Sequence, residues 1–593
     1  GLIAYGEMAR DAVAAALDAD DTRAPMSLAL LRNGEASFPT LRGVIHGGSV
    51  ASRHAALAIV RRTMAAVVSD DLIIAVVGCL RHEDASVRAD AAHTLEGLGP
   101  RAKGKDLETA AADPDPAVRA AAVRALGALG VKAGNHDDKD PFVRVEAMLA
   151  GWRTGGSGAE ELTKIAFDAA TEPRVRAAAV TALGDMGLPA ASIDLTPLVA
   201  DQPVEVRRAA AEALGKITWP SAFAIRDARA AADLNPAVEG GLAWLAGAQG
   251  TDGEWERGKL TAGTTGLALM AFLAAGRGPS DERHGLAVRR GLAYLTSRQD
   301  KRGILSSRES HEFVVCHGIA TVALIEGWIL GGGDGCRRAA QPALHFIAFA
   351  RNPGLAWRYE PRGGENDTHV TAWMVMALKL GDAAGLRVDA EAYAGAALWL
   401  EKMTDPELGR IGYNYPGGNS ARPEDLNVKF PAEFVESMTA AGLWCRQLLG
   451  VAPLRGPLEG KGINLLLARP PSQELNSRDF IYWHFGALAL FQYGDAPYSK
   501  WEKPLSAALA ESWDPNGSWK PEDVWSAEGG PVYTTSMAIL TLLTRTRYPR
   551  DFLTRPKLSP ATRAAITALK KACADEDPQV REIATAACAR LGG

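Results

Sequence analysis

The chain has 593 residues and a formal charge of −5, with hydrophobic residues making up 47%. This length is too great for one ordinary core and predicts two to four domains. The small negative charge excludes a general basic footprint for nucleic acid or an anionic membrane. Six scattered cysteines without a CxxC pair argue against a disulfide scaffold and a four-cysteine zinc module. The most apolar stretch, 314–333, contains His317 and Glu326, so we expect no membrane span.

Two compositional regimes follow each other along the chain. Of 107 alanines, 55 lie in the first 234 residues, whereas 12 of 14 tryptophans lie after residue 234. The sequence begins at Gly1 and its first residues already read as helix, so we expect an upstream segment. We expect a soluble protein, but its compartment, cytoplasmic or exported, is not readable from these residues.

The first regime repeats a short phrase that runs from Val-Arg through small residues to Leu-Gly. It occurs at 87–99, 118–130, 175–184 and 206–215, with its opening half alone at 143–144. The valines are 31, 25, 32 and 31 residues apart. Acidic or proline-containing turns precede most copies and predict capped helices. A period near 31 with two helices per repeat predicts an α-solenoid over 1–225.

This phrase resembles HEAT repeats of the short, phycobilisome-lyase-like kind. It returns once, at 577–592, so we predict a C-terminal HEAT-like hairpin over 559–593 and expect the two chain ends to pack together. The resemblance implies a protein partner bound along an extended surface. The alternative is that the array is only a packed extension of its neighbour. The repeat arginines are interpreted as structural, spanning helix ends.

The second regime alternates amphipathic helices with helices that are apolar all round. The phrases that mark the amphipathic helices begin at residues 241, 291, 343, 397, 462 and 509. The apolar helices are predicted at 261–276, 314–330, 367–381, 432–449, 480–493 and 532–545. A helix that is apolar on every side must be buried on most sides. Six alternations therefore predict a ring of inner and outer helices, an α6/α6 toroid over 236–548. The predicted fold is all-α, with the HEAT solenoid packed on this toroid.

The phrases that close the amphipathic helices resemble the QW repeats of squalene/hopene cyclases and prenyltransferase β-subunits. The residues that carry the resemblance are Gln249, Gly253 and Trp255, with partial copies at Gln299, Trp357 and Trp519. In that family these glutamines and tryptophans tie adjacent helices together, so we interpret them as structural. The resemblance covers about half of the chain and implies the architecture more strongly than the activity.

In the toroid families that the chain resembles, functional groups sit at one mouth, at the N-terminal ends of the inner helices. Polar residues at those ends are candidates for a solvated funnel. The candidates for a catalytic role are Asp367, His369, Glu436 and His484. In the matching cyclase motif the proton-donating aspartate is replaced by Asn366, which speaks against alkene protonation. The Asp-x-Cys zinc phrase of prenyltransferases matches only at 334–336, after the second inner helix.

A third resemblance is local. Cys316-His317-Gly318 is similar to the zinc phrase of lanthionine cyclases, which are also α/α toroids. The resemblance implies a zinc site, which in that family a second cysteine from a neighbouring inner helix completes. The preceding inner helix here has no cysteine, and Asp367 and His369 on the next inner helix could replace it. The alternative is a buried cysteine beside a hydrogen-bonded histidine, and otherwise no cofactor is expected.

The sequence therefore favours a non-catalytic binding or scaffold protein. Its HEAT surface would bind a protein partner, and its toroid cavity a peptide or an apolar small molecule. The alternative is an enzyme at the toroid mouth, either zinc-dependent or terpene cyclase-like. No nucleic-acid partner is expected.

Overall fold

The protein is all-α, as predicted. The computed structural model describes residues 10–63, 68–98, 104–154, 158–187, 193–200, 202–217, 229, 234–418, 421–422, 424–429, 435–450, 455–474, 477–548 and 560–591. Within these ranges there is no β-strand, only two isolated bridges, Thr404–Ile411 and Trp513–Trp519. None of the helices described there combines the length and apolarity that crossing a membrane requires.

The chain divides into two compact units. One comprises Gly1–Thr218, Gly333–Arg338 and Pro560–Gly593, and the other Trp219–Gly332 and Ala339–Ser559. The predicted domain limits at 225 and 236 fall in or beside the stretch 218–233, of which the structure describes only Arg229.

The first unit is a HEAT-like solenoid of paired helices. Its helices are Arg10–Asp18, Asp20–Asn33, Phe38–Gly47, Val50–Arg62, Asp70–Gly78, Ala85–Leu98, Gly104–Ala110, Pro116–Ala128, Pro141–Arg153, Ala159–Phe167, Pro173–Met186, Val204–Ile217, Pro560–Ala572 and Pro578–Arg590. Short 3₁₀ turns occupy Gly34–Ser37, Cys79–Arg81, Asn135–Asp137 and Thr196–Val199. The valines of the repeated phrase and its leucines, except the half-buried Leu129, are buried between helices, and this recurring burial explains the period.

One helix from each repeat stacks on the next in a continuous row. The row runs Val50–Arg62, Ala85–Leu98, Pro116–Ala128, Pro141–Arg153, Pro173–Met186, Val204–Ile217 and Pro578–Arg590. The predicted caps are present: Asp115 accepts from the Ala117 N–H at 2.8 Å, and Asp577 from the Val580 N–H at 2.9 Å. The C-terminal hairpin packs on the last helix of the N-terminal series rather than on the first. The sequence therefore predicted the C-terminal repeat but not the helix on which it packs.

The repeat arginines form a ladder between successive repeats. Arg88 reaches Asp113 with N–O distances of 2.8 and 2.9 Å, and Arg119 reaches Asp138 at the same distances. Nη1 of each arginine donates to backbone carbonyls of its own preceding turn. This confirms the structural interpretation, because each guanidinium binds its own turn to the next repeat.

The second unit contains an α/α toroid. Its inner helices, in the described part of the chain, are Thr261–Ala274, Phe313–Ile329, Thr368–Ala383, Ser437–Leu449, Phe480–Tyr493 and Ser526–Leu542. Each packs on the next and the sixth packs on the first, which closes the ring. The outer helices are Pro236–Ala248, Gly285–Arg298, Gly333–Ala350, Ala390–Met403, Pro457–Ala468 and Asp495–Ser512, and two short helices cover Glu424–Lys429 and Thr544–Arg547.

The inner helices begin close to their predicted residues, with two differences. The fourth begins at Ser437 rather than 432, and residues 430–434 lie outside the described part. The sixth begins at Ser526 rather than 532, because a kink at Gly530 joins a short preceding turn to it. Gly530 has φ 59°, and a Cβ there would lie 2.5 Å from Glu256 Oε1, so only glycine fits this kink.

The glutamines and tryptophans of the repeated phrase bond between elements, as the structural interpretation predicts. Gln249 Nε2 donates to the carbonyls of Gly253 and Ala287, at 3.0 and 2.9 Å. Fifty residues on, Gln299 repeats the pattern. The Trp255 indole N–H donates to the Leu245 carbonyl at 2.7 Å. The bonds of Gln249 and Trp255 hold the first outer helix to the loop that leads into the next inner helix and to the second outer helix.

Candidate functional site

The mouth of the toroid, where the inner helices begin, holds a cavity of about 540 Å³. Among the described residues, five aromatic side chains line it: Tyr359, Trp373, Tyr413, Trp525 and Tyr533. One to two turns further along the inner helices the lining is apolar, with Leu267, Ile319 and Met537. Among the described residues of the lining, the ones with charged side chains are Glu312, Arg358, Arg422 and Glu528, and two histidines, His311 and His369, also line the cavity. A largely apolar cavity with a few convergent polar groups is the usual composition of a binding site.

His317 does not face the cavity. Its Nδ1 accepts from the Leu305 N–H at 3.2 Å, and its Nε2 donates to the Ala343 carbonyl at 3.1 Å. In other repeats a threonine at the same place accepts the equivalent backbone N–H; these are Thr265, Thr439 and Thr535. Burial lowers the pKa of His317 to about 4. His317 is therefore a neutral structural residue that joins a loop to its inner helix.

Cys316 lines the cavity as a thiol. Its Sγ packs against Gly263, where a Cβ would lie 2.8 Å from the sulfur. Burial raises the pKa of Cys316 to about 12, so the thiolate that binds zinc or attacks a substrate is disfavoured.

The four predicted zinc ligands do not converge, since both ring nitrogens of His317 are bonded elsewhere. In the described part of the chain, no three histidine, cysteine or carboxylate side chains are grouped to hold a metal. These residues therefore do not fit the zinc hypothesis. Metal analysis by mass spectrometry tests it directly, and we expect no stoichiometric zinc in the wild-type protein or in Cys316→Ala.

Asp367 caps the third inner helix behind the cavity wall. Its Oδ1 accepts from the Val370 N–H at 2.7 Å, while its Oδ2 has no hydrogen-bond partner among the described residues. Arg358 Nε lies 3.9 Å from Oδ2. Burial raises the pKa of Asp367 to about 7, against the opposing effects of the helix N–H groups and Arg358. Asp367 does not itself line the cavity; Arg358 and Tyr413 do.

His369 lines the cavity, as predicted for a mouth residue. The Trp373 indole N–H donates to His369 Nε2 at 3.3 Å, so Nε2 carries no proton. Burial lowers the pKa of His369 to about 4, which keeps the ring neutral near pH 7. The ring proton therefore lies on Nδ1, which has no hydrogen-bond partner among the described residues. His369 is thus a hydrogen-bond donor at the cavity wall.

The other two predicted catalytic residues lie elsewhere. Glu436 is 1% exposed and is held by Arg410 at 2.7 Å and Arg469 at 3.0 Å. His484 is buried within the ring, where Arg547 donates to its Nε2 at 3.2 Å. Neither side chain lines the cavity. Of the four predicted catalytic candidates, only His369 lies in the cavity lining, so Glu436 and His484 are better explained as parts of internal ion-pair and hydrogen-bond networks.

Sequence reasoning missed most of the polar groups that line the cavity. Arg358, Tyr359, Tyr413 and Arg422 lie in loops before inner helices, where no periodicity identifies them. The phenols of Tyr359 and Tyr413 bond each other at 3.1 Å. Only the position of these residues in the sequence could have identified them, because residues directly before an inner helix lie at the mouth of the toroid. That signal would have included Glu312, which precedes the second inner helix.

The comparisons with known proteins find HEAT repeats in the chain. A family model of HEAT repeats matches residues 73–143, 135–215 and 159–238. A search of curated proteins found no match. Among solved structures, the α-1,6-mannanase GH76A of Salegentibacter sp. HEL1_6 is 13% identical, with 52% of this chain and 98% of the mannanase covered, at a TM-score of 0.37.

The protein Kap95p, in a structure with RanGDP, is 11% identical, with 98% of this chain and 72% of that chain covered, at a TM-score of 0.26. Kap121p is 12% identical, with 100% of this chain and 59% of that chain covered, at a TM-score of 0.24. Scores this low carry no conclusion about function. The chain contains HEAT repeats and an α/α toroid.

Proposed function

We infer that this protein is a non-catalytic binding scaffold, with a HEAT solenoid for a protein partner and a toroid cavity for a peptide. The observation that carries the inference is the cavity lining, in which aromatic and apolar side chains surround groups that are not activated for chemistry. Cys316 is held as a thiol, and His369 as a neutral donor fixed by Trp373. Such a lining favours recognition of a ligand over attack on it.

The finer resemblance, to QW-repeat cyclases, supports the architecture of the toroid in this proposal. The place of the proton-donating aspartate is taken by Asn366, whose Oδ1 accepts from the Ala356 N–H at 3.0 Å. Asn352 Nδ2 donates to the same oxygen at 3.1 Å. The amide therefore has a structural task and offers no acidic proton.

Peptide binding is tested by titrating peptides, selected by display against the full chain, into variants of the cavity wall. Tyr359→Ala and Trp525→Ala remove aromatic faces from the lining. Tyr415→Ala is the matched control, because Tyr415 is 59% exposed and outside the lining. We expect each wall variant to weaken binding at least about tenfold, as for aromatic anchors at other interfaces. Equal affinity of all three variants would refute a peptide site in the cavity.

A second candidate function is an enzyme at the same mouth, and Asp367 favours it. Although it lies behind the cavity wall, a buried carboxyl with a pKa of about 7, whose Oδ2 has no hydrogen-bond partner among the described residues, has the protonation of a general acid. Incubation with squalene, followed by product analysis, tests the terpene cyclase form of this alternative. We expect no product; a product that disappears in Asp367→Asn would establish the enzyme instead.

A further inference from the structure

The positive charges in the cavity lining are already neutralised by carboxylates of the protein. Arg358 Nη1 donates to Glu365 Oε2 at 2.5 Å. Arg422 Nη2 lies 2.9 Å from Asp479 Oδ2, and both of these side chains are almost wholly buried. Asp367 Oδ2 lies 3.9 Å from Arg358 Nε behind the same wall. Neither guanidinium therefore needs an anionic ligand to balance it.

The negative charges in the lining have no such counterpart. Glu312 accepts a hydrogen bond from the Ser310 hydroxyl at 2.8 Å, and within the described residues no lysine or arginine pairs with it or with Glu528. Burial and then the charge of Glu312 raise the pKa of Glu528, while the nearby His311 lowers it. Two carboxylates thus share one side of the mouth, with the His311 ring beside them. This side of the cavity is suited to a ligand cation.

Aromatic and apolar groups continue from these carboxylates into the ring. The His311 and Tyr359 rings lie 4.3 Å apart, and Trp525 lines the same cavity. Aromatic faces attract ammonium and guanidinium groups. Beyond them the apolar side chains of the inner helices would cover a methylene stem. The Nδ1–H of His369 adds a donor for a peptide carbonyl.

We propose that the toroid cavity recognises a basic residue of a bound peptide, whose cationic head lies between Glu312 and Glu528. The aliphatic stem of that lysine or arginine packs on the apolar lining, and His369 donates to a carbonyl of the peptide backbone. The proposal rests on the proposed function, since it names the class of peptide that this scaffold binds.

Calorimetric titration of the full chain with four capped pentapeptides tests the proposal. The peptides have lysine, arginine, norleucine or glutamate at the centre of an alanine sequence, with both ends blocked. We expect the lysine and arginine peptides to bind at least about tenfold more tightly than the norleucine peptide. We expect no binding of the glutamate peptide and weaker binding of the basic peptides at higher salt.

Variants of the two carboxylates locate the effect. E312Q and E528Q each should lower affinity for the lysine peptide several-fold without changing that for the norleucine peptide. E511Q is the matched control, because Glu511 is an exposed glutamate of the sixth outer helix and lies outside the cavity lining. Circular dichroism melting of the three variants serves as the control that each variant is folded.

The outcomes separate the two proposals. If the norleucine peptide binds as tightly as the lysine peptide, the basic-residue proposal is overturned and the peptide-binding function stands. If none of the pentapeptides binds while display-selected peptides do, the proposal is likewise overturned. If no peptide binds by either route, both proposals fail. If spermidine binds as tightly as the lysine peptide, the cavity recognises a free polyamine equally well, and the claim that its cationic ligand is a peptide residue is overturned.

Discussion

The last step of the arginine ladder joins parts of the chain that are 368 residues apart. Arg207 Nε and Nη2 both lie 2.8 Å from the Asp575 carboxylate, and the two side chains are 12% and 11% exposed. The pair fixes the C-terminal hairpin to Val204–Ile217. We predict that Arg207→Ala and Asp575→Ala each release this hairpin locally.

The geometry of the Arg207–Asp575 pair sets the expected loss of stability. A hydrogen bond to a charged group contributes about 1.5–3 kcal/mol, whereas an exposed ion pair contributes about 0–1 kcal/mol. Because the pair is bidentate and mostly covered, we expect each single substitution to cost about 2 kcal/mol. The coupling energy from the double variant should be about 1–2 kcal/mol. The exposed pair Arg23 with Asp20, 2.7 Å apart, is the control and should couple by less than about 0.5 kcal/mol.

The assay is native-state hydrogen exchange, because two units make a single unfolding free energy ill-defined. Amides of Pro578–Arg590 should exchange about 30-fold faster in either single variant, which corresponds to about 2 kcal/mol. Amides of Ala85–Leu98, far along the row, should be unchanged.

The pH dependence has a defined sign. The Arg207 hydrogen bond holds the pKa of Asp575 below its usual value, so the stabilisation is present above the unfolded pKa and is lost as pH falls. The proposed role of this ion pair would be refuted by a coupling energy no larger than that of Arg23 with Asp20. Hydrogen exchange that accelerates equally in all helices of the row would also refute it.

Four further substitutions test the packing and the buried charges. Glu326 forms ion pairs with the buried Arg229 and Arg547 and accepts from the Tyr548 hydroxyl, so Glu326→Gln leaves uncompensated guanidiniums inside the ring and should cost about 3–5 kcal/mol. A melting temperature lowered by less than about 2 °C would contradict this. A Cβ on Gly184 would lie 2.9 Å from Ala213, so Gly184→Ala should destabilise the solenoid by about 1–3 kcal/mol. Gly97→Ala, where the nearest atom is 3.7 Å away, should stabilise it by up to about 1 kcal/mol, and the reverse order in thermal melting would disprove the close-packing argument. Asp367 keeps its proton up to about pH 7 in the folded state but only to about pH 4 when unfolded, so stability falls as pH rises through this window by up to about 4 kcal/mol. Asp367→Asn should remove that fall, and an unchanged difference between the two proteins in melts from pH 5 to pH 8 would show that Asp367 is not buried as a neutral acid.

The sequence by itself determined the fold class and most of the helix positions. Periodic alanines and the Val-Arg to Leu-Gly phrase identify helices because burial recurs with the repeat, and the apolar inner helices must be enclosed. Residues whose partners lie in an adjacent repeat were also readable. Gln249 and Trp255 bond to residues only a few positions away in the sequence, so their structural role recurs with each copy of the phrase.

The tertiary structure alone decided which polar residues meet. His317 and Cys316 are neighbours in sequence, yet one ring bonds the backbone of Leu305 and Ala343 while the thiol lines the cavity. Arg207 meets Asp575 across 368 residues, which no local pattern can encode. The described cavity lining comes from the ends of five inner helices and from the segments before inner helices, and loops carry no periodicity. Local patterns record what is buried within a repeat, whereas the direction and the charge environment of a side chain depend on contacts between distant segments.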